Sequence, residues 1–333
     1  MRAVTLTQKG GPSVLQVRDH PEPPPPGEGR VQIAVRAAGV NFADALDRVG
    51  LNPSAPKIPF IPGFDVAGIV NAVGEGVDSD LLGRRVFAGT RYGGYAEIVD
   101  VGADDLGMLP DDLSFEQGAI FVNYATAWEG LHGSGQLQPG QRVLVHAAAG
   151  GVGIAAVQLA KAAGAVVHGT ASPAKHARLQ ELGVDRTIDY RQRRWWDDLP
   201  SYDVILEAIG GTSLRRSYGL LHPGGRVITY GASSLLRGER RSLRTAMPQA
   251  LAMMRGFNLL KQLDESKAVV GLNIMALWEA RGSLQSWLKP LASNLADGSI
   301  QPVVYAKVPF EDAPEAHRIL AARENFGKVV LVP

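Results

Sequence analysis

Gly150, Gly151 and Gly153 follow the apolar run Val143-Leu-Val-His-Ala-Ala-Ala, and they carry the strongest chemical signal in the chain. The spacing Ala147-x-x-Gly150-x-x-Gly153 is that of a dinucleotide-binding turn whose first glycine has become alanine. Small residues there let a pyrophosphate approach the backbone and rest on a helix N-terminus, where free amides and the helix dipole favour anions. A tight turn without ligand is the alternative; a setting between a strand and a helix favours the nucleotide. In such units an Asp or Glu at the end of the second strand binds the ribose hydroxyls of NAD. Val166-Val-His-Gly-Thr170-Ala-Ser172-Pro-Ala-Lys175 offers hydroxyls and a cation instead. That pattern selects NADP(H), with a solvated lysine on a helix surface as the competing reading of Lys175. Ser172 and Lys175 also spell the Ser-x-x-Lys of acylating enzymes, but the Ser-Asp-Asn and Lys-Thr-Gly partners are missing.

Composition narrows the chemistry further. The chain has 333 residues, long enough for two domains, and no cysteine, which excludes disulfides, thiol nucleophiles, iron–sulfur clusters and Cys-ligated zinc. Its seven histidines show no metal-ligand spacing. A net charge of +1 gives no field for polyanions, so nucleic acid is not an expected partner. The start of the chain shows no targeting segment, and a cytoplasmic location is expected. Val143–Ala160 lacks formal charge over 18 positions, but its glycines divide a β-branched half from an Ala-rich half, giving strand, turn and buried helix rather than a membrane span.

Elements that would hold this site follow from periodicity. The first 110 residues alternate short apolar runs with Gly and Pro, which predicts a mostly β region. The proline-rich tract Pro21–Pro26 reads as an extended surface crossing. From about residue 115 strand-like runs at Val143–Val145, Val166–Gly169, Val204–Leu206 and Val227–Tyr230 are separated by helix-length segments. Ile154–Ala163 and Ala174–Leu182 are two such segments, ending near Gly164 and Gly183. The fold class is α/β. A doubly wound parallel sheet is predicted over 122–266, with 1–121 and 267–333 outside it, the tail contributing a strand at Val303–Val308, a helix at Ala313–Arg323 and a last strand.

Several motifs together resemble the medium-chain dehydrogenase/reductase superfamily, in its zinc-free quinone oxidoreductase division. They are Ala38-Gly-Val-Asn41-Phe-Ala-Asp44, Pro62-Gly63-Phe64-Asp65-Val-Ala-Gly68, Gly93-Gly94-Tyr95-Ala96-Glu97, Asn123-Tyr124-Ala-Thr126-Ala127, Gly224-Gly225-Arg226-Val227 and Asn325-Phe-Gly327-Lys328-Val-Val-Leu. The last of these and Lys267–Asn273 look most like the branch of vesicle amine transport protein homologues. The resemblance implies a GroES-like catalytic domain beside a Rossmann domain, with the active site in the cleft between them and a homodimer formed through the Rossmann sheets. Asn41 and Phe64 stand where zinc alcohol dehydrogenases carry Cys and His ligands, so no metal is expected. It further implies that Ala149, Gly150, Gly151, Val152 and Gly153 face the pyrophosphate, and Ser172, Lys175 and Tyr190 the 2′-phosphate. Thr126, Gly231, Asn325 and Lys328 are expected at other parts of NADPH.

Without a metal to polarise an isolated carbonyl, hydride delivery to a quinone or an enone is the expected chemistry, because a conjugated acceptor spreads the incoming charge. Asn41 and Tyr124 are the candidate donors to its oxygen, and Asp44 either orients Asn41 or caps the following helix. Enoyl-thioester reduction is the nearest alternative substrate class, and a nucleotide-binding interaction protein with weak turnover is the alternative function. Ser233–Gln262, with Arg237, Arg240, Arg241 and Arg244 preceding an apolar run, reads first as ordinary packing, then as a lid over an apolar substrate, and last as a membrane-surface contact.

Overall fold

The computed structural model describes residues 1–236, 238, 243–254 and 257–333. Strands β1 (Arg2–Leu6) and β2 (Leu15–Asp19) form an antiparallel ribbon, and the tract at 21–26 crosses in extended form to β3 (Arg30–Val40). With β4 (Asp65–Val73), β5 (Arg85–Gly89), β6 (Ile98–Gly102) and β7 (Leu106–Met108), β3 builds most of a seven-stranded sheet. The nucleotide half follows, with β8 (Arg142–Val145), β9 (Val166–Ala171), β10 (Arg186–Asp189), β11 (Tyr202–Glu207), β12 (Leu221–Thr229) and β13 (Ala268–Gly271) in the spatial order β10-β9-β8-β11-β12-β13. All five pairings are parallel, which is the doubly wound order that opens a ligand crevice where the chain reverses direction, between β8 and β11. The predicted helices are present as Gly151–Ala162, His176–Glu181 and Ala313–Ala322; Gly164 and Gly183 follow the first two with φ of +74° and +92°.

The tail returns to the first sheet. β14 (Val304–Pro309) and β15 (Lys328–Val332) extend it as β14-β15-β3-β4-β5-β7, with β6 also on β3. β13 carries the parallel sheet beyond residue 266, because Arg226 to Thr229 pair with Ala268 to Gly271. One apolar cluster joins the two halves, running from Ala37, Ala67 and Phe87 through Phe121 and Tyr124 to Val143, Val204 and Trp287. Polar clamps close the same seam: the indoles of Trp287 and Trp278 donate to Glu129 at 3.0 Å and Asp105 at 2.9 Å.

Arg237, Arg240 and Arg241, and the side chain of Arg244, lie outside the described residues. Leu236 is buried against Ala45 and Val49 of the helix Phe42–Val49, tying the segment after β12 to the β-rich half. Beyond it, helices Leu243–Met254 and Leu259–Glu265 leave Met247, Leu251, Met254, Leu259, Leu260 and Leu263 between 51% and 78% exposed. The two helices therefore present an apolar face rather than burying it.

His317 is a buried group that costs stability at low pH. It is fully buried, neither ring nitrogen has a hydrogen-bond partner among the described residues, and it meets Tyr95 edge-on at 6.2 Å. Burial first, and then the charge of Arg48, lowers its pKa from 6.5 to about 3. Below pH 6.5 the unfolded chain takes up a proton that the folded one refuses, so this group costs about 2 kcal/mol of stability by pH 5. Asp44 and Asp47, raised to about 7 and about 6, act in the opposite sense, since the folded chain keeps protons that unfolded carboxylates release. Comparing His317→Leu with the wild type isolates the histidine: denaturant melts should show the variant gaining about 2 kcal/mol relative to the wild type between pH 7 and pH 5. A difference independent of pH would contradict a neutral buried ring.

Candidate active site

The glycine turn sits immediately after β8. Gly150 is the N-cap of the helix Gly151–Ala162, and a side-chain carbon built there would meet only the Ala147 carbonyl, at 3.3 Å. At Gly153 the same carbon would collide with the Ala147 carbonyl and the Ala148 backbone, so this glycine is needed for the helix to lie against the turn. Ala147, at the first-glycine position, has a φ of +52°, a conformation that costs an L-residue about 1–2 kcal/mol. The turn thus keeps the glycine geometry without the glycine, and leaves open space and free helix amides where a pyrophosphate fits.

Around this turn the expected adenosine-end residues converge. Asp189 is opposite Ala171 in the β9–β10 register, which sets Tyr190 beside Ser172 at the ends of neighbouring strands. Tyr190 is 38% exposed. Lys175 reaches across to the C-terminal segment, its Nζ donating to the Arg323 carbonyl at 2.8 Å and the Asn325 carbonyl at 2.6 Å. Its pKa is lowered, first by burial and then by the charges of Arg178 and Arg323, which share this corner. Asn325 donates to the Gly327 carbonyl at 2.7 Å, and Gly327 bridges to Gly150 and donates to the Ala149 carbonyl at 2.9 Å. Gly231 follows β12, where a side-chain carbon would press on the Ala208 carbonyl. Thr126 is placed less openly, its hydroxyl donating to the Val122 carbonyl one helical turn back at 2.7 Å.

Lys328 stands apart from the cofactor assignment made for it. Its ammonium is 2% exposed and spends all three donors inside the protein, on Asn41 Oδ1 at 2.6 Å, Asn123 Oδ1 at 2.7 Å and Asp65 Oδ2 at 3.3 Å. Burial lowers its pKa, with Asp65 and Asp44 opposing. Gly39 makes this approach possible, since any side chain there would strike Asp65 and the Lys328 stem. Because Lys328 is donor-only, it fixes the Asn41 amide, whose Nδ2 then donates to Asp65 Oδ1 at 2.8 Å and to the Gly39 carbonyl at 3.3 Å. Asn41 is 7% exposed and has both amide protons engaged, so donation to a substrate oxygen would require breaking one of these bonds.

Of the two roles expected of Asp44, the structure places it in the helix cap, its contact with Asn41 being to the backbone. One oxygen accepts the Asn41 backbone amide at 2.7 Å, closing the helix start from inside, and also the Tyr95 hydroxyl at 2.9 Å; the other accepts Gly63 N at 3.0 Å. Burial and then the Asp47 charge push its pKa up to about 7, while those three hydrogen bonds pull it back. Tyr124 differs from expectation in its partner. Its hydroxyl donates to Gln158 at 2.7 Å within the apolar seam, so its proton is engaged there and not with the Asn41 cluster.

Three residues without an assigned role in the sequence reading complete the arrangement. Asn123 donates to Asn41 Oδ1 at 3.2 Å, and a side-chain carbon on Gly151 would lie 2.7 Å from its oxygen, so it links the glycine turn to the polar cluster. Asp65 is the cluster's buried anion. Glu207, fully buried at the end of β11, accepts from Ile209 N, Gly210 N, Ser213 and Ser217 at 2.6–3.2 Å; Ser217 continues to His146, and His146 to Thr170, beneath the turn. The signal for Glu207 and His146 was a polar residue at the edge of an apolar run, which is too common to single out.

Zinc does not fit this site. Phe64 has no lone pair, Asn41 is saturated, and no group of three or more His, Cys, Asp or Glu residues among those described could hold a metal.

Comparison with known proteins agrees with this geometry. Residues 27–111 match the alcohol dehydrogenase GroES-like domain family and residues 182–331 the family described as zinc-binding dehydrogenase. The rat synaptic vesicle membrane protein VAT-1 homolog is 38% identical over 341 residues, covering 100% of this chain and 84% of that protein. Human quinone oxidoreductase is 31% identical over 342 residues, covering 100% and 98%. The crystal structure of Escherichia coli quinone oxidoreductase complexed with NADPH superposes with a TM-score of 0.86 at 31% identity, covering 100% of both chains. With its GroES-like and Rossmann halves and no residues for a catalytic zinc, the chain belongs to the medium-chain dehydrogenase/reductase superfamily of oxidoreductases, among relatives of the zinc-free quinone oxidoreductases.

Proposed function

We propose that this chain is an NADPH-dependent, zinc-independent reductase of quinones or α,β-unsaturated carbonyls. The observation that carries the reading is the pair Asn41 and Phe64: the first is locked by Lys328 and Asp65, the second is a hydrocarbon ring, and neither can polarise an isolated carbonyl. A conjugated acceptor needs only hydrogen-bond donors near its oxygen. Bound at the turn, NADPH supplies the hydride. Ala149 to Gly153 hold its pyrophosphate on the helix amides, and Ser172, Lys175 and Tyr190 take the 2′-phosphate. Gly327, held by the Asn325 amide, closes over the turn through Ala149 and Gly150. Asn41 and Asp44 form the rigid polar floor of the cleft, Lys328 and Asn123 position Asn41, and Tyr124 braces the seam through Gln158.

The reading is tested by following loss of the reduced nicotinamide absorbance with NADPH or NADH and a panel of ortho-quinones, para-quinones, alkenals and enoyl thioesters. NADPH-selective turnover of a conjugated acceptor is expected. Tight NADPH binding with no turnover of any would favour an interaction protein, the reading to which the apolar face of Leu243–Met254 and Leu259–Glu265 gives some weight.

That face adjoins β13, an edge strand of the parallel sheet, and a second copy of this chain is its proposed occupant. Light scattering on the purified protein should give a dimer, and Leu260→Glu with Leu263→Glu should shift it to monomer. A wild-type monomer would overturn the assignment.

A further inference from the structure

The protons of Asn41 and Tyr124, the two donors expected at the acceptor oxygen, are both committed within the protein. Tyr92 lies in the loop between β5 and β6 with a φ of +85°, a conformation rare for a bulky side chain and concentrated at functional sites. Its ring is half-buried, 4.8 Å from Phe64 and edge-on to Phe60 at 5.5 Å, so it stands against the residue that occupies the vacated metal position. Its hydroxyl is oriented from one side only. Asn52 Nδ2 donates to the Tyr92 oxygen at 3.3 Å and to Asp47 Oδ1 at 2.6 Å, while Asn52 Oδ1 accepts Ser54 N at 3.1 Å and so fixes which way the amide faces. The phenol oxygen is therefore an acceptor within the protein, and among the described residues nothing takes its proton. Asp47 and Asn52 belong to the helix Phe42–Val49 and the turn after it, and that helix is packed on Leu236 across the cleft. Burial, then Asp47 and Asp44, raise the phenol's pKa, so the proton leaves Tyr92 only as charge develops on the acceptor oxygen and must be restored promptly.

We propose that Tyr92 is the proton donor to the acceptor's carbonyl oxygen, held in aim by Asn52; this rests on the reductase reading above. As the hydride pair from the reduced nicotinamide adds to the β-carbon, the C=C π pair shifts into the bond beside the carbonyl and the carbonyl π pair moves onto oxygen; the enol or dienol formed by protonation then tautomerises to the product. The Tyr92 O–H bond breaks, its proton passes to that oxygen and its electron pair stays on the phenolate. Water at the half-exposed ring then restores the proton, so the net change is one hydride and one proton added to the acceptor.

Tyr92→Phe in the full chain is the test, because it removes the proton and keeps the ring against Phe60 and Phe64. With NADPH and a para-quinone or an alkenal, kcat should fall about 10²- to 10³-fold with KM changed less than about threefold, the signature of a contact made in the transition state. NADPH affinity, read by fluorescence titration, should be unchanged, and the solvent deuterium isotope effect on kcat should be lost. Asn52→Leu keeps the phenol but loses its aim, and should lower kcat about tenfold. Wild-type kcat in Tyr92→Phe would overturn the proposal and leave the reductase reading standing. A wild-type chain that binds NADPH and reduces no acceptor would overturn both.

Discussion

Lys328→Met should destabilise the protein by about 3–5 kcal/mol, because it leaves the fully buried Asp65 carboxylate without its cation. For a chain of this size that corresponds to a fall in melting temperature of roughly 4–7 °C. The same substitution frees Asn41 Oδ1 from its shortest bond and takes the Lys328 donor from Asn123 Oδ1, so the floor of the cleft is joined to the glycine turn by the 3.2 Å Asn123–Asn41 bond alone. Turnover should fall at least as sharply as stability. Adding Asp65→Asn to Lys328→Met removes both charges together, and more than half of the lost stability should return, since an uncompensated ion costs more than an absent pair. Activity should remain low in the double variant, because the Asn41 amide keeps only its longer contacts, to Asn123 at 3.2 Å and the Gly39 carbonyl at 3.3 Å. Thermal melts and acceptor turnover on the three proteins check this. A single variant melting within about 2 °C of the wild type would show that the ammonium does not hold the floor.

Lys328 also shows where reading the sequence stopped. The architecture was legible because period and punctuation carry it. Val143–Val145 and Val166–Gly169 are apolar strand cores of the parallel sheet, the glycine run fixes strand, turn and helix, and Gly164 and Gly183 mark helix ends by their positive φ. The turn itself was legible for the same reason, since only small residues satisfy its backbone. Motif position assigned Lys328 to the cofactor, yet whether an ammonium points at a ligand or into the core depends on β15 pairing with β3 and on Gly39 leaving room, a contact between residues 287 positions apart. Asn41 was found by type and place, but its donor capacity was not, because Lys328 and Asp65 come from other strands and together saturate it. Tyr92 lacked any local mark: its backbone conformation, its partner Asn52 and its neighbour Phe64 meet only once the loop after β5 folds back over the helix Phe42–Val49.

Lys175→Ala should weaken NADPH binding about 10- to 100-fold and leave NADH nearly unchanged, the loss expected when one charge-assisted hydrogen bond to a phosphate is removed. The structure sharpens what the experiment decides. Two of the three ammonium donors of Lys175 already go to the Arg323 and Asn325 carbonyls, which leaves one for the 2′-phosphate. Lys175 therefore has two effects, a direct one on the phosphate and an indirect one through the segment that closes on Gly150 and Ala149. Only the direct effect distinguishes the nucleotides, because the pyrophosphate contacts are common to both. Arg178 and Arg323 stay nearby in the variant, and their charges, felt by Lys175 itself, keep the corner attractive to an anion, which bounds the loss below that of removing the whole cationic group. Fluorescence titrations with the two nucleotides, at a fixed ionic strength, give the comparison directly. Equal weakening of NADPH and NADH would mean that Lys175 only ties down the C-terminal segment and that selectivity for the phosphate resides in Ser172 and Tyr190.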